Sequence, residues 1–194
     1  DCVSIFALTV ADAGTVFDAA ARFDGQDVYA RARMPETPRS LGEGFTFAVP
    51  RASDLQFFGD DEAARLFEEA SERLEELGGR ARWIDFSLFA EAAALLYDGP
   101  FVEALYKLEA LKRRALTLFT DIDFLVVPTT PTIYRVDEIA AEPLKLNSRL
   151  GIYTNFMNLL DMAGIAIPAG IRASGKVAGL PFGVTLCAPA FSEA

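Results

Sequence analysis

Histidine is absent from the 194 residues. That excludes Ser-His-Asp and Cys-His catalysis carried within this chain, and it leaves a transition metal few suitable donors. Cysteine is nearly absent too, with Cys2 and Cys187 far apart. A disulfide scaffold or a zinc site needs more cysteines at closer spacing. Two reduced thiols suit the cytoplasm, where we expect the protein to reside. Positive charge is scarce, with 18 Lys and Arg against 28 Asp and Glu and a formal net charge of −10. Phosphate recognition needs a basic footprint, so neither nucleic acid nor a membrane surface is an expected partner. No run reaches the ~18 apolar residues of a membrane span. Residues 1–20 show no basic start followed by a long apolar run, so no signal peptide is expected.

What is present is 52% hydrophobic residues, enough in this length for one sizeable core. Val10, Ala13, Val16, Phe17 and Ala20 recur at helical spacing behind Thr9, a natural N-cap. Residues 24–44 are rich in Gly, Pro, Arg and Ser and read as a loop. Phe45 to Val49 alternates as a strand and Pro50 ends it. The clearest helix begins at Asp60-Asp61-Glu62 and carries Ala63, Leu66, Phe67, Ala70, Leu74 and Leu77 on one stripe, with Gly78-Gly79 as its stop. Arg82 to Phe86 follows as a strand, and strand, helix, strand suggests a βαβ unit.

Residues 88–97 and 103–120 read as helices. Phe124 to Val127 is a continuous apolar strand of the buried, parallel kind. Pro128-Thr129-Thr130-Pro131-Thr132 reads as a turn, and Asn147 to Met162 as one helix. Ile165 to Ile167 and Phe182 to Leu186 are two more strands joined by a Gly-rich loop. The alternation predicts an α/β layered fold.

Chemistry is harder to find. No nucleophile elbow, phosphate loop, dinucleotide fingerprint or zinc-protease motif occurs. Asp60-Asp61 and Glu68-Glu69 read as the solvated face of a helix. Lys112-Arg113-Arg114 reads as dipole compensation near a helix end.

Three stretches add a direction. Asp123-Phe124-Leu125-Val126-Val127-Pro128-Thr129-Thr130-Pro131, then Asn158 followed by Pro168-Ala169-Gly170, then Gly179-Leu180-Pro181-Phe182-Gly183-Val184 resemble, in order and spacing, motifs of the amidase-signature enzymes. Asp1 to Ala7, Leu95 to Val102, Pro131 to Tyr134, Leu146 to Gly151 with Tyr153 to Phe156, and Val184 to Phe191 resemble the allophanate hydrolase branch. The resemblance implies an α/β/α amidase-signature fold with a mixed sheet, only partly represented, and residues 1–194 as a partial amidase domain.

The family's Ser nucleophile, second Ser on a cis peptide and Lys base imply acyl transfer without histidine. No Ser of this chain lies in the matching context, so no catalytic residue is carried over. The resemblance implies Tyr97 and Asn158 as substrate-binding residues. A packed helix end for Tyr97 and a capping or packing role for Asn158 remain open. Thr129, Thr130 and Pro131 would shape a turn near the pocket. The implied substrate is a small amide, allophanate. The resemblance implies no metal or organic cofactor, but it does imply a functional link to a biotin-dependent urea carboxylase and allows a homodimer. Another amidase, one component of an amidotransferase or a non-catalytic scaffold of the same fold remain alternatives.

The pattern departs from the branch after Val102. The family continues to a Glu-Arg pair whose Arg binds substrate carboxylate, whereas the eighth residue after Tyr97 is Leu105. A few dozen family residues have no counterpart here, and we expect a chain break between Val102 and Glu103.

Overall fold

A computed structural model of the chain describes residues 3–31, 41, 44–97 and 101–192, with the backbone alone for Tyr97 and Phe101. Cys2, Asp98, Gly99 and Pro100 lie outside the described residues. The chain divides into two units at residue 40. The first holds α1 (Val10–Ala20), where Thr9 Oγ1 accepts the Asp12 amide at 3.1 Å, the expected N-cap.

The second unit is built on a five-stranded sheet in the order β2-β1-β3-β5-β4. The strands are β1 (Phe45–Pro50), β2 (Gly79–Ile84), β3 (Phe124–Pro128), β4 (Met162–Ile171) and β5 (Pro181–Pro189). β1 is parallel to both β2 and β3, while β5 is antiparallel to β3 and β4. The sheet is therefore mixed. β1, α2 (Asp61–Glu76) and β2 form the expected βαβ unit.

Two-sided burial explains the strand sequences. Phe47, Val49, Phe124, Val126, Phe182 and Val184 pack against Ala63, Leu66, Phe67 and Ala70 of α2. Ala48, Leu125, Val127 and Cys187 point the other way, into Phe86, Phe89, Leu111, Ala115, Tyr153 and Phe156. Those residues come from α3 (Ser87–Ala94), α4 (Phe101–Leu118), α7 (Phe156–Leu159) and adjoining turns. Side chains alternate across each strand, so a strand with both faces covered must be apolar throughout. β3 has all five residues buried. Burial also pushes the Cys187 thiol up to about 12, so it behaves as a small apolar residue.

Several boundaries differ from expectation. β2 starts at Gly79, three residues before Arg82, because Gly78 alone, at φ 94°, ends the helix. The single helix expected over Asn147 to Met162 is instead α6 (Pro143–Leu150), a turn, α7 and the start of β4. Gly151 interrupts it: its carbonyl takes the amides of both Thr154 and Asn155. α5 (Val136–Ala141) is a short helix that the sequence pattern does not announce. α4 runs through Val102 and Glu103 as one helix. The family motif stops there, but helical spacing continues. Lys112, Arg113 and Arg114 lie short of the last turn of α4, which holds no basic residue. Lys112 instead pairs with Glu109 at 2.9 Å. None of the helices among the described residues is long and apolar enough to cross a membrane.

Candidate functional site

The parallel strands β1 and β3 end together at Pro50 and Pro128, and the register sets Pro128 level with Val184 at the start of β5. In open α/β sheets, ligands collect beyond such carboxyl ends. Three connections meet there: residues 51–60 after β1, residues 129–135 after β3, and residues 172–180 between β4 and β5.

Asp60 joins all three. Its Oδ1 accepts the Ala63 amide at 3.0 Å and so caps α2. Its Oδ2 accepts Nε of Arg172 at 3.0 Å and the Thr132 hydroxyl at 3.0 Å. The Asp60 and Arg172 side chains are 8% and 0% exposed, a fully desolvated ion pair. Arg172 also donates Nη1 to the Pro181 carbonyl and lies 5.5 Å from the Phe182 ring centroid. The expectation that Asp60 belongs to a solvated helix face is thus corrected. Asp60 precedes the first helical turn, where a carboxylate caps the amides and turns inward. Only Asp61 and Glu62 occupy that turn.

Glu62 adds a second link, accepting the Ala173 amide at 2.6 Å. Hydrogen bonds from Arg65, then from the Ala173 backbone, lower its carboxyl to about 2. The threonine turn is held internally as well. Thr129 and Thr185 hydroxyls lie 2.9 Å apart, and Thr130 donates to the Thr132 carbonyl at 2.9 Å. Thr129 also donates its amide to the Gly183 carbonyl. Gly183 has little room for a side chain, since a Cβ there would stand 3.2 Å from both the Ile167 carbonyl and Thr129 Oγ1.

The 51–60 connection is fixed from the other face. The Tyr153 hydroxyl accepts the Gln56 amide at 2.5 Å, and burial raises its pKa. Asp54 Oδ2 accepts the Phe86 amide at 3.0 Å.

The structure does not bring Asn158 to this end. It is exposed on α7, just ahead of β4, whose Gly164 lies level with Leu125 near the start of β3. Tyr97 closes the 3-10 turn Leu95–Tyr97 after α3. Asp60 and Arg172 were missed by sequence reasoning. The available signal was an Asp immediately before an acidic first turn, and an Arg two residues after Gly170 of the Pro168-Ala169-Gly170 motif. Elsewhere among the described residues, Lys107 and Lys145 pair with Glu91 and Glu142, and buried Ser71 donates to the Phe67 carbonyl.

Residues 101–194 match the family model described as Amidase. The whole chain aligns with the urea amidolyase of Lachancea kluyveri at 31% identity. It superposes with a TM-score of 0.89 and 29% identity on a Kluyveromyces lactis allophanate hydrolase, over 99% of this chain and 37% of that one. The chain belongs to the amidase-signature family. An amidase-signature fold also accounts for the likeness to a glutamyl-tRNA(Gln) amidotransferase component of Thermotoga maritima, with a TM-score of 0.77 at 19% identity over 95% of this chain and 48% of that one. The chain spans 12% of the length of the Lachancea relative. That alignment runs over 235 positions against the 194 residues here, so roughly 40 positions of this amidase-signature relative have no counterpart in the chain.

Proposed function

We propose that this chain is part of an enzyme that hydrolyses allophanate to ammonia and carbon dioxide. The observation that carries the reading is the likeness to an allophanate hydrolase over 99% of the chain, at a TM-score of 0.89. The 31% identity to a urea amidolyase over the full chain supports the same reading. On this reading the described residues form one wall of the site. The acyl-transfer nucleophile, its second Ser and its Lys base come from elsewhere in the protein. Backbone amides hold the oxyanion, and water releases the acyl group. Tyr97 is the proposed substrate contact; Asn158 lies at the other end of the sheet and is assigned no contact with substrate. The enzyme works in the cytoplasm on allophanate supplied by a biotin-dependent urea carboxylase, and a homodimer is its proposed assembly.

A substrate panel tests this. Purified full-length protein should hydrolyse allophanate with a kcat/KM at least about tenfold above that for glutamine, urea or a simple aliphatic amide, a margin of roughly 1.4 kcal/mol in transition-state binding. A preference for glutamine would move the protein to the amidotransferase reading, and inactivity on every amide would favour a scaffold.

A further inference from the structure

We propose that Asp60 and Arg172 are a positioning pair, which fixes the turn from Thr129 to Thr132 against the N-terminus of α2 and so sets one wall of the substrate crevice. The proposal deepens the amide-hydrolase reading above and rests on it for the catalytic consequence alone.

Geometry comes first. Asp60 and Arg172 are 112 residues apart in sequence and belong to different elements. Asp60 receives three donors, from the α2 backbone, from Thr132 and from Arg172. Removing Asp60 would therefore free the threonine turn from α2 and from the 172–180 loop together, while removing Arg172 unties that loop and leaves the carboxylate to Thr132 and the helix alone.

A charged pair at this place also needs a reason. A fully desolvated ion pair is weak evidence of stabilisation, since apolar residues of similar volume often serve as well or better. This pair is not optimised for stability either. Arg172 Nη2 is buried and makes no hydrogen bond within the described chain. What a buried, directional pair supplies that an apolar contact does not is one fixed arrangement. Its Nε to Oδ2 bond and the Thr132 hydroxyl share a single carboxylate oxygen, so the turn has one register relative to the helix. A shift of about 1 Å in a group that positions substrate can cost on the order of a hundredfold in rate.

The test uses the full-length protein and the double substitution Asp60→Asn with Arg172→Met. Asn keeps a helix-capping side chain, and Met keeps much of the packing volume. Two readouts are needed: hydrogen exchange of amides in the turn after β3, and kcat and KM for allophanate. The expected result is faster exchange in that turn with a folded core, a kcat lowered roughly tenfold to a hundredfold, and a smaller change in KM. Arg172→Lys should recover part of the kcat; if the double variant does not fold, Arg172→Lys carries the same two readouts. Unchanged exchange in the turn, or unchanged kcat in a folded variant, overturns the proposal. Wild-type protein inactive on allophanate would instead sink the substrate reading, and the exchange result would still decide the positioning.

Discussion

Arg149 lays its guanidinium 4.5 Å over the ring of Phe58, and Phe58 holds a left-handed backbone at φ 53°. A bulky residue in that region is uncommon and costs free energy unless neighbours hold it. Here the hold comes from Arg149 at the end of α6 on one side and the Asp60 cap on the other. The β1–α2 connection is thus held on both sides of Phe58, just past the carboxyl end of β1.

Gly59 follows Phe58 with φ 85°, and a Cβ there would meet no atom within 4 Å. Gly59→Ala should therefore destabilise through the backbone alone, by about 1–2 kcal/mol. Urea unfolding measures it. An unchanged midpoint would mean that the connection relaxes freely and is not held.

Tyr153→Phe keeps the ring contacts to Phe86 and removes the hydroxyl that accepts the Gln56 amide. The Gln56 amide loses its acceptor in a part-buried bond, so a loss of about 0.5–1.5 kcal/mol is expected. Exchange at Gln56 should accelerate more than exchange in β3. A change confined to global stability, with no local signature around Gln56, would contradict the role given to the phenol.

Glu62 supplies a pH signature. Its carboxyl in the folded chain is lowered to about 2, against an ordinary value of 4.5. A depressed carboxyl contributes stability that is fully present above the unfolded pKa and is lost as pH falls through the folded one. The Ala173 amide should stay protected through pH 4.5 and lose protection only as the pH approaches about 2. NMR titration of the Ala173 amide checks this, and Glu62→Gln should flatten the dependence. A midpoint at the ordinary carboxyl value would show that the carboxylate does not hold the loop.

The strands and long helices were legible because burial writes itself into spacing. β3 is apolar throughout since both faces are covered, and the α2 stripe faces one side of the sheet. The threonine turn was legible from its prolines. What sequence could not show was long-range pairing of charge. Asp60 beside Asp61 looks like any acidic helix start, and only the fold places Arg172 against it. The α6–α7 break was equally hidden, because Gly151 ends a helix by taking two amides on one carbonyl, while the residues after it are still helix formers. The wall of the proposed site at the carboxyl ends of β1 and β3 was thus half visible, through its threonines but not through its ion pair.

Tyr97 tests the proposed substrate contact. Tyr97→Phe in the full-length protein should lower kcat/KM for allophanate by about two- to tenfold, the worth of one ordinary hydrogen bond. Melting temperature should move little. Normal kinetics with a lowered melting temperature would assign the phenol to packing at the end of α3.

Ammonia release from allophanate decides most. Steady release is expected from the full-length protein and none from residues 1–194 alone, which hold no Ser in the family's catalytic context. Absence of release by the full-length protein, under conditions where it hydrolyses another amide, would contradict the proposed function. So would release by the isolated 194 residues, freed of contaminating enzyme.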